Sequence, residues 1–117
     1  MADTKGCDFS FADLSGSKLS GSDFKETNFS NANLKDVYFK LSNLQSCVLE
    51  NIYLENTFFE KCRLVSVKFK NTSFKNTIFK FCNFKNISFE NCKMDKLSYN
   101  FLLFAKVNLE GVTIEDN

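Results

Sequence analysis

The side chains best suited to covalent chemistry in this sequence are its five cysteines. A thiolate is a nucleophile and a metal ligand, but it usually acts beside a histidine base or within a closely spaced Cys-x-x-Cys pair. The chain has no histidine and no such pair. The odd number of cysteines and the lack of a secretion signal also argue against a disulfide framework. We therefore expect buried free thiols and no catalytic site, metal or cofactor at Cys7, Cys47, Cys62, Cys82 and Cys92.

The charged side chains do not indicate a catalytic site or a strongly charged ligand either. Fifteen Lys and Arg stand against 14 Asp and Glu, which gives a formal net charge of +1. A near-neutral chain has no strong overall field toward nucleic acid or a membrane surface. No apolar run approaches the length of a transmembrane helix, and the N-terminus lacks a signal peptide's apolar segment. We expect a soluble, cytoplasmic, non-enzymatic protein.

The positions of the cysteines belong to a five-residue repeat that runs through the whole chain. Each unit has a large apolar residue, called the centre below, and 22 centres follow one another with no insertion or deletion. A period of five fits neither an α-helix nor a β-strand, so it indicates one short structural unit that recurs. The centres are Phe9, Leu14, Leu19, Phe24, Phe29, Leu34, Phe39, Leu44, Leu49, Leu54, Phe59, Leu64, Phe69, Phe74, Phe79, Phe84, Phe89, Met94, Tyr99, Phe104, Leu109 and Ile114.

Each unit is predicted to be a short extended segment followed by a corner. The residue two positions before the centre is mostly Ala, Ser, Thr, Cys, Val or Ile, and all five cysteines occupy it. Residues two apart on an extended segment point the same way, so both positions face inward. The residue two positions after the centre is often Gly or Asn, as at Gly16 and Asn76. These residues tolerate the positive φ that a type II turn requires.

The repeat resembles the pentapeptide repeat family, whose unit is a small residue, Asp or Asn, Leu or Phe, and two variable residues. The segments Ala12-Asp13-Leu14-Ser15-Gly16 and Ala32-Asn33-Leu34-Lys35-Asp36 match that pattern literally. The resemblance implies an all-β fold, a right-handed quadrilateral β-helix with four units per coil and about five and a half coils. We expect one such domain over residues 7–116, preceded by an N-terminal tail or cap over residues 1–6. Charge pairing alone favours four and five units per coil about equally.

The resemblance also implies an alternative function, because well-known members of the family mimic duplex DNA and act on type II topoisomerases. That role needs a continuous acidic surface. Here Glu50, Glu55 and Glu60 lie between bands of lysine, and the acidic ends, such as Asp3 and Asp116, are short. With four units per coil, Lys35–Glu55–Lys75–Asp95 forms a ladder of alternating sign, which favours a structural role. Inhibition or protection of gyrase is therefore the alternative and not the main prediction, and nucleic-acid binding is not expected.

Apolar residues at outward positions predict a protein-binding surface. Tyr38, Phe58 and Ile78 lie immediately before centres and are spaced by four units, so they would line one face. Contiguous exposed apolar area of this kind often marks a contact surface. We expect a homo-oligomer formed through this face, side by side. The candidate interface residues, which include corner positions beside the same face, are Tyr38, Leu41, Phe58, Ile78, Phe81 and Phe101.

The C-terminal units offer a second way for copies to associate. Residues 97–104 are the least regular part of the repeat, with Leu97 and Leu102 oversized for their positions. No capping helix is expected after Ile114, and an open solenoid end leaves strand edges unpaired. The irregular segment either widens the last coils or packs against a second copy, end to end. The sequence does not rank the two modes of association.

Overall fold

Strand pairing in this protein joins residues that lie four repeat units apart. A computed structural model describes residues 6–115. In it Leu19 pairs in parallel with Phe39, Phe39 with Phe59, and Phe59 with Phe79. One coil therefore takes four five-residue units, and the protein is a four-sided β-solenoid. The pairing settles the coil length that the charge pattern leaves open.

Short strands of three residues form the sides of the coils, and a nine-residue helix, α1, spans Lys96–Phe104. In chain order the strands are β1 Lys18–Ser20, β2 Tyr38–Lys40, β3 Val48–Glu50, β4 Tyr53–Glu55, β5 Phe58–Glu60, β6 Arg63–Val65, β7 Lys68–Lys70, β8 Ser73–Lys75, β9 Ile78–Lys80, β10 Asn83–Lys85, β11 Ser88–Glu90, β12 Cys92–Met94 and β13 Val112–Ile114.

The strands stack into four parallel sheets, which are the four faces of the solenoid. The first face contains β3, β7 and β11, and the second contains β4, β8, β12 and β13. The third contains β1, β2, β5 and β9, and the fourth contains β6 and β10. In the N-terminal coils single bridges, such as Asp8 with Asn28 and Asp23 with Asn43, extend this pairing. Side chains at equivalent positions therefore form columns along the rod.

Each corner turns at the residue two positions after the centre, where φ is positive. Among non-glycine corners φ lies between 49° at Asn76 and 64° at Glu26. This confirms the left-handed corner conformation predicted from Gly and Asn, and extends it to residues of other types. At Gly111, where φ is 91°, an added Cβ would lie 2.2 Å from the carbonyl oxygen of Phe89. Only glycine fits that corner without a shift of the backbone.

The residue before the centre influences whether a unit forms a strand or a turn. Where it is Asp or Asn, its side chain accepts a hydrogen bond from the backbone N–H two residues later, as Asp13 does from Ser15 at 3.1 Å. The corner that follows closes with a backbone bond, from Ser17 N–H to the Leu14 carbonyl at 3.1 Å. Such local bonding competes with strand structure, so these units are turns joined by single bridges. Asn83, which lies in β10, departs from this pattern.

The inward centres fill the interior with stacked rings and aliphatic side chains. Phe39 and Phe59 are fully buried, and their rings are parallel with centroids 5.0 Å apart. Phe69 stacks on Phe89 at 5.3 Å. The predicted core columns are therefore confirmed in the middle coils. Because large rings stack directly on one another, the solenoid has little freedom to close a cavity left by a smaller side chain.

The second inward position supplies hydrogen-bond donors as well as volume. Thr57 Oγ1 donates to the Leu34 carbonyl at 2.8 Å, and Cys47 Sγ donates to the Phe24 carbonyl at 2.9 Å. In both pairs the acceptor lies 23 residues earlier, on the centre of the coil below. This shared geometry explains why Ser, Thr and Cys all recur at the second inward position.

The expectation that all five cysteines are buried is wrong for Cys7, which is exposed, and Cys82, which is half-buried. Cys7 belongs to the first coil, and no earlier coil within residues 6–115 covers it. Cys82 lies beneath the helix that interrupts the last coil. Cys47, Cys62 and Cys92 are buried as expected.

The expectation of repeat units through residues 97–104 is wrong, because α1 occupies this segment. Asp95 caps the helix by accepting a hydrogen bond from Ser98 N–H at 3.0 Å, and the segment contains no Gly, Pro or β-branched residue. Ser98 Oγ accepts a hydrogen bond from the Thr77 N–H at 3.0 Å, which ties the helix to the coil below. Phe104, predicted as a core centre, is 90% exposed, and Tyr99 is half-buried.

After the helix the chain returns to the solenoid with its spacing unchanged. In β13, Val112 lies opposite Cys92 of β12, again four units along the chain. The helix packs against β9, β8 and β12, so it continues the third face in place of a strand. Among residues 6–115 no helix has the length and apolar character needed to cross a bilayer.

The predicted N-terminal tail over residues 1–6 lies outside the described residues apart from Gly6. The N–H of Gly6 donates to the Lys25 carbonyl at 2.8 Å, so pairing between coils already includes this residue. The acidic Asp3 and Asp116 also lie outside the described residues. The proposed domain limits, residues 7–116, remain a prediction.

Candidate protein-interaction surface

The third face carries an outward column of apolar side chains in the middle coils. Tyr38, Phe58 and Ile78 are direct partners in adjacent strands β2, β5 and β9. The Tyr38 and Phe58 rings stack with centroids 4.9 Å apart and planes 10° apart. All three side chains are half-buried, because each covers its neighbours in the column. The spacing predicted from sequence is therefore present as one continuous column.

A hydrogen bond fixes the polar end of this column. The Tyr38 hydroxyl donates to the carboxylate of Glu60, which follows Phe59 on β5. This bond lowers the pKa of Glu60 and raises the pKa of Tyr38. The phenol is thus oriented by the coil that contains Glu60, and its ring stacks on Phe58 of the same coil.

Two large apolar residues stand at the corner beside the column. Leu41 is 56% exposed and Phe81 is 74% exposed, with φ values of 52° and 55°. Left-handed backbone costs an L-residue other than Gly or Asn about 1–2 kcal/mol. Between them in the corner column lies Lys61, also at positive φ. We call Tyr38, Phe58, Ile78, Leu41 and Phe81 the apolar stripe.

Phe101, the sixth predicted interface residue, does not stand at this corner. It lies in α1 and packs, half-buried, against the core. Phe101 is displaced because α1 replaces the regular repeat units over residues 97–104. The helix carries Phe101 away from the corner column. Its predicted role in an interface remains untested.

Other exposed apolar residues do not belong to the apolar stripe. Tyr53 is 51% exposed on the second face, and Phe104 lies at the end of α1. Phe11 is 77% exposed at a corner after the first face, with φ of 62°. Sequence reasoning missed Phe11, although a large apolar residue at a corner position was a readable signal. Phe104 could not be found in this way, because its exposure depends on the helix.

Ion pairs between coils neutralise part of the acidic surface. Lys35 Nζ lies 3.3 Å from the Glu55 carboxylate, and Glu90 is 3.0 Å from Lys68 and 3.6 Å from Lys70. The Lys68 ammonium holds the pKa of Glu90 below its usual range. The Lys35–Glu55 step of the predicted charge ladder therefore exists as an ion pair. Asp95 instead accepts backbone hydrogen bonds from Asn76 and Ser98.

The described residues hold no assembled site for metal binding. Among residues 6–115 there is no group of three His, Cys, Asp or Glu side chains placed to hold a metal ion. Burial raises the pKa of the Cys47 thiol to about 12, which keeps it protonated at neutral pH. The pKa of Cys92 is also raised by burial. The apolar stripe is therefore the strongest candidate functional surface.

Comparison with known proteins agrees with the five-residue architecture. A model of pentapeptide repeats matches residues 7–45 in eight copies, and a model of a pentapeptide repeat region matches residues 42–117. A search of curated proteins found no match. The family assignment rests on the two family models, which together span nearly the whole chain.

Solved structures similar to this chain are distant. A pentapeptide repeat protein from the Arabidopsis thaliana thylakoid lumen is 20% identical, with a TM-score of 0.46, 95% of this chain covered and 79% of that one. QnrB1, a plasmid-mediated fluoroquinolone resistance protein, is 23% identical, with a TM-score of 0.34 and coverages of 94% and 78%. HetL of the cyanobacterium Nostoc, involved in heterocyst differentiation regulation, is 19% identical at a TM-score of 0.43. That match covers 69% of this chain and only 35% of HetL. On the family models, the chain belongs to the pentapeptide repeat family.

Proposed function

We propose that this protein is a non-catalytic solenoid that acts by binding protein, and that its partner at the apolar stripe is a second copy of itself. One observation carries the proposal. Leu41 and Phe81 expose large apolar side chains at corners where the backbone disfavours them, on either side of Lys61 and next to the stacked Tyr38 and Phe58. Folding alone does not require large apolar residues at these corners, whereas a contact surface would use them.

The spacing of the apolar stripe suits an antiparallel pair. Leu41 and Phe81 lie one coil before and one coil after Lys61, so they are symmetric about the coil that contains Phe58. A two-fold axis through this coil would bring Leu41 against Phe81 of the partner subunit and Phe58 against its own equivalent. Isologous contacts of this kind are the commonest in homo-oligomers, and aromatic residues are enriched in the cores of interfaces.

Sedimentation velocity tests the proposal directly. The parent should sediment as a dimer, and the double variant Tyr38→Glu, Phe58→Glu should sediment as a monomer. Tyr53→Glu is the control, because it places a glutamate at an exposed tyrosine on another face. Circular dichroism of each variant checks that the solenoid has formed. A parent that stays monomeric at high concentration, or a double variant with unchanged mass, would refute dimerisation through the apolar stripe.

Action on a type II topoisomerase is the alternative function, and the surface charge argues against it. Glu55 and Glu90 are each paired with lysine across coils, whereas a DNA mimic needs unbroken negative charge. A supercoiling assay with gyrase discriminates between the two functions. No inhibition and no protection at micromolar protein would remove the alternative, and either effect would favour it over self-association alone.

A further inference from the structure

Cys62 and Cys82 are neighbours in one inward column at the start of the fourth face. β6 and β10 pair in register, with Arg63 opposite Asn83, so the residues that precede them lie one above the other. Neighbouring strands are about 4.8 Å apart. This spacing lies within the range of about 4.4–6.8 Å that a disulfide spans between Cα atoms. The backbone spacing thus permits a disulfide between Cys62 and Cys82.

Cys82, the upper residue of the pair, is half-buried and Cys62 is buried, because α1 displaces the next coil above Cys82. β10 is the last strand of the fourth face, and an open groove of about 240 Å³ lies above it, between Phe84 and Val107. The inward side chains of the coil below are 2% exposed or less, whereas those directly above them are half-buried. The lower set is Cys62, Leu64 and Val67, and the upper set is Cys82, Phe84 and Ile87.

The two sulfur atoms differ in their surroundings. Cys62 Sγ donates to the Phe39 carbonyl at 3.4 Å, and Cys82 Sγ donates to the Phe59 carbonyl at 3.3 Å. Contact with the Cys62 thiol lowers the pKa of Cys82, while the same contact, together with burial, raises the pKa of Cys62. Cys82 is also the more exposed of the two residues, so it is the thiol suited to attack an oxidant, and Cys62 is the thiol suited to respond.

We propose that Cys62 and Cys82 are a redox-active pair that a hydroperoxide converts into a disulfide between the third and fourth coils. The Cys82 thiolate sulfur attacks one peroxide oxygen, the O–O bond breaks, and a sulfenic acid forms as hydroxide leaves. Cys62 sulfur then attacks Cys82 sulfur, the S–S bond forms, and the second hydroxide leaves. The two thiol protons convert the two hydroxides to water. With an organic hydroperoxide an alkoxide leaves in the first step instead, and it takes up a proton to give the alcohol. The two thiols are oxidised by two electrons, and the peroxide is reduced.

This inference does not depend on the proposed self-association, because neither cysteine belongs to the apolar stripe. The disulfide would tie the last strand of the fourth face to the coil below, beside the helix. A dithiol reductant would reverse the reaction by thiol–disulfide exchange. Serine substitutions are suitable probes, because Ser22 and Ser42 already occupy the same column in earlier coils.

The test is mass spectrometry of the full chain in a Cys7→Ser background, which removes the exposed thiol. The protein is treated with equimolar hydrogen peroxide, alkylated and digested with trypsin without reduction. Cleavage after lysine and arginine releases residues 62–63 and residues 81–85 as separate peptides. We expect these two peptides to be joined, with loss of two hydrogen atoms, and to separate after treatment with dithiothreitol. Cys92→Ser, which removes another buried thiol, should not change the product.

The single variants separate the two steps. In Cys62→Ser, dimedone should trap a sulfenic acid on Cys82, and in Cys82→Ser no linked peptide should form. Circular dichroism checks the fold of each variant. Absence of the linked peptide from the folded Cys7→Ser protein, or a pairing of Cys62 with any cysteine other than Cys82, would overturn the proposal. Oxidation of Cys82 that stops at the sulfenic acid while Cys62 is present would overturn it as well.

Discussion

Phe79 lies directly over Phe59, with ring centroids 4.9 Å apart and an angle of 4° between the ring planes. The same ring meets Phe84 edge-on at 5.6 Å. Two residues later, Phe81 projects its ring into solvent from a left-handed corner. Phe79 is therefore a core residue, whereas Phe81, at the corner after the same strand, is an exposed one. We expect the Phe79 ring to stabilise the fold and the Phe81 ring to contribute little to stability.

Phe79→Ala should lower the free energy of unfolding by about 3–5 kcal/mol, because the coil below and α1 above are held in place by their own backbone hydrogen bonds and cannot close the cavity. Urea unfolding followed by circular dichroism measures the change. Phe81→Ala is the matched control and should change stability far less. Equal effects of the two substitutions would contradict the assignment of Phe79 to the core.

Phe81→Asn should raise the free energy of unfolding by about 1 kcal/mol, because asparagine tolerates positive φ better than phenylalanine. Thermal unfolding at a concentration where the protein is monomeric is the appropriate measurement. The reverse exchange, Asn76→Phe, places a ring at a corner with φ of 49° and should destabilise by a similar amount. A loss of stability in Phe81→Asn would show that the exposed ring has stabilising contacts within its own chain.

Asp95→Ala should cost about 0.5–2 kcal/mol at pH 7, since the N-cap of α1 is lost. Burial opposes ionisation of Asp95, but hydrogen bonds from Ser98 and from the Asn76 and Ser98 backbone outweigh it, so the folded pKa is lowered. This contribution is complete above the unfolded pKa of about 3.9 and is lost as the pH falls through the folded value. The difference in stability between the parent and the alanine variant should therefore shrink in acid. Asp95→Asn, which cannot ionise but still caps, should show a weaker pH dependence than the parent; an equal dependence would rule out Asp95 as its source.

Thr57→Val should destabilise the protein by about 1 kcal/mol, because the Leu34 carbonyl loses a buried donor while the side-chain volume is kept. Chemical denaturation measures the difference in the free energy of unfolding between the parent and the variant. Thr57→Ser keeps the hydroxyl and removes a methyl group, so it separates the hydrogen bond from the packing. If valine were tolerated without cost, the contacts between inward hydroxyls and carbonyls would not contribute to stability.

Much of the fold could be predicted from sequence because the five-residue period imposes the same local conformation many times. Phe39, Phe59 and Phe79 stack as the spacing indicates, and corners such as Asn71 have the positive φ that their residue type suggests. The helix could not be predicted from the period, because Tyr99 and Phe104 preserve the five-residue spacing while Asp95 provides a cap. There the local preference for a helix overrides the periodic pattern.

The candidate surface could be predicted from sequence where the repeat is regular. Tyr38, Phe58 and Ile78 could be placed in one column from their spacing alone, and the structure places them there. Phe101 could not be placed, because its position depends on the helix. The partial exposure of Cys82 could not be predicted for the same reason, because it arises where α1 replaces a strand of the next coil.

The pairing of each unit with the units four places before and after it has a consequence for changes in chain length. Deleting four whole units between β2 and β9 would leave every remaining unit in phase, on its own face of a shorter rod. Deleting a single unit between β2 and β5 would shift all later units by a quarter turn. Tyr38 would then stay on the third face while Phe58 and Ile78 moved to the second, and the apolar stripe would divide although none of its residues had changed. In this fold the number of residues between two side chains determines whether they lie on the same face.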